Sequence, residues 1–175
     1  MDMLKLSLSL LCVFSIITML PPSLGQDSPQ DYVDAHNDAR ARARGQDSAV
    51  QFGIQPIQPI QWDEEVANYA RQYANERSND CQLLHSNSGT YGENLAMSFG
   101  EMSGIQAVEM WVNEKQFYDY DSNTCVEDKM CGHYTQVVWN NSTKVGCAKV
   151  RCSNGGTFIT CNYDPPGNVI GERPY

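Results

Sequence analysis

The sequence predicts an α+β layered domain, with helices in the first two-thirds and an antiparallel sheet in the last third. Three observations predict it. Capped helix signals recur early in the chain, strand-like runs rich in β-branched and aromatic residues cluster late, and six cysteines fall in a chain short enough for one core.

The first helix signal is Ser28-Pro29-Gln30-Asp31: a serine cap, a proline at the first helical position and an acid three residues after the cap. The helix is expected to reach about Arg44, with His36 and Arg40 one turn apart as a hydrogen-bonded pair anchoring it to the core. From Gly45 to Gln61 the periodicity stops. Ile54-Gln55-Pro56-Ile57-Gln58-Pro59-Ile60-Gln61 is a short Ile-Gln-Pro repeat whose prolines exclude a helix, which implies a surface connection. Its three units are too few for a solenoid.

Asp63 caps a second helix in which Val66, Tyr69, Ala70 and Tyr73 follow the i, i+3, i+4, i+7 pattern of a core stripe, ending near Arg77. A glycine-punctuated loop over 85–95 then carries His85 and Glu93. Ser103-Gly104-Ile105-Gln106 opens a third helix, with Ile105, Val108, Trp111 and Val112 facing inward and Glu114 at the margin of the buried face. Residues 116–130 form an aromatic, acidic loop whose Phe117, Tyr118 and Tyr120 either fill core or line an apolar groove.

Cys131 to Trp139 reads as a glycine-hinged entry into a β-strand, with His133 where the strand begins. Strands at 134–139, 144–152 and 157–163 complete the expected antiparallel sheet. Asn140 and Asn141 begin overlapping glycosylation sequons in a strand connection.

The chain has 175 residues and a formal net charge of -9. Residues 1–25 combine Lys5, an apolar run from Leu6 to Leu20, two prolines and a small-residue ending at Gly25, as in a secretory signal cleaved before Gln26. The run is shorter than the roughly 20 residues a membrane span needs. What remains, residues 26–175, is the size of one domain. Asp2 and Lys5 cancel, so the mature part stays acidic, which argues against nucleic acid and anionic membranes as partners.

Of seven cysteines, Cys12 lies in the signal, leaving six for three disulfides in a secreted domain. Cys147 and Cys161 are equally distant from the turn near Asn154 and so sit opposite each other across a hairpin. Cys152, an odd number of residues from Cys147, faces the other way. Cys125 and Cys131 can close a small loop, which leaves Cys81 for Cys152.

The motifs Tyr91-Gly92-Glu93-Asn94-Leu95, Ala107-Val108-Glu109-Met110-Trp111, Gly132-His133-Tyr134-Thr135-Gln136-Val137-Val138-Trp139 and Cys161-Asn162-Tyr163-Asp164-Pro165-Pro166-Gly167-Asn168 occur in that order. Together they resemble the group-one pathogenesis-related proteins of plants, within the superfamily of cysteine-rich secretory proteins, insect venom antigens and pathogenesis-related proteins. The resemblance spans essentially the whole mature chain. It implies a three-layer α-β-α sandwich around a central antiparallel sheet, and the same disulfide pairing. It implies a four-residue site that falls on His85, Glu93, Glu114 and His133, and a sterol loop that corresponds to 117–125, hence Phe117, Tyr118, Tyr120 and Cys125.

By the same resemblance the protein is a secreted, antimicrobial defence protein acting chiefly on oomycetes and fungi by binding sterols of pathogen membranes. The segment 165–175 is similar to a defence-signalling peptide released by cleavage after Asp164, which brings in a processing protease and a peptide receptor as partners. The ending lacks an added vacuolar-type tail, so the expected location is the extracellular space, and the expected state is a monomer. Between Arg44 and Trp62 the chain is longer than the usual family member.

The chemistry of the four-residue site is open at the level of sequence. Two imidazoles and two carboxylates suit Zn²⁺ or a related ion as an optional cofactor. Equally, each glutamate can hydrogen-bond a histidine and tie loops to the third helix. No enzyme is expected: all six cysteines of the mature part are assigned to disulfides, neither Ser86 nor Ser88 sits in a Gly-x-Ser-x-Gly elbow, and a metal-activated water is the only remaining route to hydrolysis.

Overall fold

The computed structural model describes residues 27–44 and 55–175. The expected signal segment with its cleavage point at Gly25, and most of the added proline-rich stretch, lie outside the described residues.

Among the described residues, four helices and six strands follow one another. Helix α1 spans Pro29–Ala43, α2 Glu64–Arg77, α3 Gly104–Val112 and α4 Gly132–Val137, with a 3-10 turn over Asn113–Phe117. Strands are β1 Gln61–Trp62, β2 Gly92–Ser98, β3 Tyr118–Asp119, β4 Thr124–Cys125, β5 Lys144–Arg151 and β6 Thr157–Asp164. The main sheet runs β1-β5-β6-β2, antiparallel except for the parallel β1–β5 pair, and β3–β4 form a separate ribbon.

The sheet is the middle of three layers, and the period-2 alternation of β6 assigns its faces. Phe158 packs with Ala70, Tyr73 and Ala74 of α2 on one side. Ile159, Cys161 and Tyr163 join α1, α3 and α4 through Ala39, Val108, Trp111 and Val137 on the other. Each large apolar side chain buried this way contributes about 2 kcal/mol relative to exposure. Helix α2 lies so close to β5 that a Cβ on Gly146 would stand 2.0 Å from the Ala67 nitrogen.

The caps at Ser28, Asp63 and Ser103 form as expected, the first and last as full capping boxes. All three disulfides join the expected partners: Cys81–Cys152, Cys125–Cys131 and Cys147–Cys161. Cys147 and Cys161 are register partners across the hairpin, with Cα atoms 4.1 Å apart.

Several expectations change. The segment 134–139 is not a strand: residues 132–137 form helix α4. Its β-branched and aromatic composition is overridden because Tyr134 and Val137 are buried in the core and a carboxylate from Glu114 meets the helix start. Strands β1, β2, β3 and β4 are not among the expected ones; β2 begins inside the stretch 85–95, which reads as loop for its glycines, and its buried Asn94 donates from its amide to the Tyr163 hydroxyl and the His133 carbonyl.

Ile105 is 41% exposed, because the buried stripe of α3 is Gly104, Ala107, Val108 and Trp111. Tyr69 is only half-buried, edge-on to Tyr91. The Ile-Gln-Pro stretch is not simply surface: Ile57 and Ile60 are buried, and Asn37 brackets Ile60 by bonding both its carbonyl and its amide.

His36 and Arg40 are both buried but are not each other's partners. His36 bonds the Tyr32 carbonyl and the Tyr163 hydroxyl. Arg40 donates to the carbonyls of Gln58, Val137, Trp139, Asn140 and Ser142.

Candidate functional site

The four residues of the expected site stand as two histidine–glutamate pairs. In the loop before β2, His85 Nδ1 lies 2.8 Å from Glu93 Oε1, which also accepts the Ser86 amide at 3.0 Å. The Glu93 side chain is 6% exposed and its second oxygen takes the Asn162 amide at 3.3 Å, while His85 is 61% exposed. Glu93 lies opposite Asn162 on β6, the face covered by α2, and the next residue, Asn94, turns to the α4 side and bonds the His133 carbonyl.

The second pair joins α4 to the turn after α3. His133 Nδ1 lies 2.7 Å from Glu114 Oε1, and the His133 ring stacks on Trp111 with centroids 6.3 Å apart. Glu114 sits on the 3-10 turn rather than on the helix proper, which swings its carboxylate toward the start of α4.

A carboxylate on Nδ1 leaves Nε2 as the outward nitrogen, the usual preparation of an imidazole for a metal. Two such nitrogens fall short of the three protein ligands of a catalytic zinc site and the four of a structural one. Among the described residues no group of three or more His, Cys, Asp or Glu side chains is placed to hold a metal ion. This geometry does not fit a preformed zinc centre. It supports a tying role: the first pair holds the loop of His85 to β2, and the second holds α4 to the turn after α3.

The sterol-loop residues separate as well. Tyr118 and Cys125, neighbours across the β3–β4 ribbon, wall a cavity of about 310 Å³. Phe117 lies outside it, under the Lys129 ammonium at 5.5 Å. Tyr120 also lies outside, its ring stacked on Tyr175 with centroids 5.0 Å apart. Sequence reasoning missed the other walls: Trp139 and Thr135 from α4 and its end, and Asn168, Val169 and Pro174 from the C-terminal segment. Thr135 and Trp139 belong to the Gly132–Trp139 motif and Asn168 closes the motif that begins at Cys161, whereas Val169 and Pro174 lie outside the motifs.

That C-terminal segment is exposed along 168–173 but is not loose. Gly167 donates to Gln136, Asn168 bonds Thr135 and the Gly132 carbonyl, and the Asn140 amide donates to the Pro174 carbonyl at 2.7 Å. Of the two sequon asparagines, Asn141 is exposed, whereas the Asn140 side chain accepts from the Gln58 amide. No helix among the described residues is long and apolar enough to cross a membrane.

The same chain architecture recurs in solved structures. The Schistosoma mansoni venom allergen-like protein 4 superposes with a TM-score of 0.62 over 84% of this chain and 92% of its own, at 24% identity, a likeness of fold. NaASP2, solved with Zn²⁺, gives 0.62 over 88% of both chains at 25% identity.

Sequence relatives are nearer. The chain is 55% identical to the "Pathogenesis-related protein PR-1 type" of Sambucus nigra over 97% of this chain and 94% of that one. It is 57% identical to "Pathogenesis-related protein 1" of Arabidopsis thaliana over 90% and 88%, and 53% identical to "Pathogenesis-related protein 1B" of Nicotiana tabacum over 95% and 91%. These kinships support a role in plant defence, and with the three disulfides they support an extracellular setting. Since the cysteine-rich secretory protein family, CAP, matches residues 33–163 and these relatives match nearly end to end, the chain belongs to that family.

Proposed function

We propose that the protein is a secreted, non-enzymatic defence protein that captures sterols from oomycete and fungal membranes in the cavity behind Tyr118. The observation that carries this reading is the composition of the walls. The Tyr118 ring, the Cys125–Cys131 disulfide, Trp139, Val169 and Pro174 offer apolar surface, and Thr135 and Asn168 offer partners for a single hydroxyl. The size, about 310 Å³, is at the lower end of the range for small-molecule sites, and apolar walls with a few polar groups are their usual composition.

Gly132 provides the test. It lines the cavity, and a Cβ there would meet nothing nearer than Asn168 Nδ2 at 3.9 Å, so a larger side chain fills the space without disturbing the backbone. Labelled cholesterol is expected to bind the parent and to bind Gly132→Leu at least tenfold more weakly, at unchanged melting temperature. Equal binding by Gly132→Leu removes the cavity as the site. Phe117→Ala is expected to bind like the parent.

A second reading makes 165–175 a peptide released by a protease after Asp164 and read by a receptor. Its support is the exposure of Pro165 and Pro166, just beyond β6, and the lack of helix or strand in the segment. Mass spectrometry of fluid from infected tissue is expected to find the eleven-residue fragment; its consistent absence defeats this reading.

A further inference from the structure

The cavity behind Tyr118 has two unlike walls. One is the body of the domain: the β3–β4 ribbon, its disulfide and helix α4. The other is the C-terminal segment, which contributes Asn168, Val169, Gly171, Glu172 and Pro174.

That second wall is fastened at points the cavity does not touch. The Tyr175 ring stacks on Tyr120, its hydroxyl lies 3.1 Å from that of Tyr134, and the Arg44 guanidinium lies 5.4 Å from its ring centroid. Arg173 donates to the Tyr120 and Asp121 carbonyls at 3.0 and 2.8 Å. Each of these contacts is individually weak and the segment has no regular structure, so it opens at less cost than the whole fold.

We propose that residues 168–175 are a clasp whose docking is linked to occupancy of the cavity: an apolar ligand holds the clasp down, and lifting the clasp releases the ligand. The proposal rests on the sterol reading of that cavity. A molecule seated there touches body and clasp together, so it binds the docked form in preference to the lifted one. Binding then favours docking by the factor 1 + [L]/Kd, and whatever lifts the clasp weakens binding reciprocally. Sterol capture and liberation of the C-terminal peptide consequently oppose each other within one molecule, because cutting after Asp164 removes one side of the cavity.

The test uses cholesterol and the mature chain, reading the hydrogen exchange of the Asn140 amide, whose acceptor is the Pro174 carbonyl. The Ser153 amide, which lies on the β5–β6 turn and donates to the carbonyl of Ser78 at the end of α2, is the reference. At ten times the Kd, cholesterol is expected to slow Asn140 exchange on the order of tenfold and leave Ser153 unchanged. Tyr175→Ala, and independently Arg173→Ala, are expected to speed Asn140 exchange and to weaken cholesterol binding several-fold, although neither residue lines the cavity. Cholesterol that binds the parent without slowing Asn140, or that binds both variants as tightly as the parent, overturns the linkage while leaving the sterol reading in place. No binding to the parent overturns the sterol reading, and the linkage with it.

Discussion

Glu114 grips His133 twice: Oε1 meets the imidazole Nδ1 at 2.7 Å, and Oε2 accepts the backbone amide of the same residue at 3.0 Å. The Tyr134 amide reaches Oε2 at 3.4 Å. The N-cap of helix α4, Cys131, offers no side-chain hydrogen bond, so a carboxylate remote in sequence performs that service. Glu114→Ala strands these donors and is expected to destabilise the fold by about 2 kcal/mol. Glu114→Gln, which keeps an acceptor, should cost less. Urea midpoints measure both, and equal midpoints for parent and Glu114→Ala contradict the capping role.

Burial, more than the nearby charge of Arg40, pushes the His36 pKa down to about 4. In the unfolded chain it titrates near 6.5. Between those values the unfolded state takes up a proton that the folded state refuses, so stability is full above pH 6.5 and falls as the pH drops toward 4. By pH 4.5 the loss from this group is about 2.5 kcal/mol. His36→Gln should be less stable at pH 7 but show a flatter decline to pH 4.5 in urea titrations. A decline as steep as the parent's would show that other groups set it.

Arg40, 2% exposed, holds its charge among five carbonyls, with no carboxylate partner among the described residues. Desolvation lowers its pKa to about 10, still well above physiological pH. The guanidinium joins α1 to residue 58 and to the segment 137–142 below the C-terminal clasp. Lysine has three donors and no fork, so Arg40→Lys leaves acceptors unmet. A loss of about 3 kcal/mol is expected for Arg40→Lys, and more for Arg40→Ala, in thermal or urea unfolding.

Legibility in the sequence followed the range of the interaction. Caps at Ser28, Asp63 and Ser103 are written within four residues and formed as read. The Cys147–Cys161 bridge followed from distance to a turn. Where the decisive partner lies far along the chain, the local pattern misled. Helix α4 depends on Glu114, nineteen positions away, and β2 keeps a buried asparagine because Tyr163 and the His133 carbonyl receive it. The cavity was half legible, since Tyr118 and Cys125 belong to the aromatic loop while Asn168, Val169 and Pro174 arrive from the far terminus.

A second groove, between α1 and α3 with Ile105, Val108 and Val112 on its floor, competes with the cavity behind Tyr118 as a home for a sterol, although Asp38, Arg42 and Glu109 surround it with charge. Photo-crosslinking with a diazirine-bearing cholesterol, followed by peptide mapping, decides between them. Adducts at Tyr118, Thr135, Trp139 or Val169, suppressed by unlabelled cholesterol, are the predicted result. Adducts confined to Ile105, Val108 and Val112 would contradict the account.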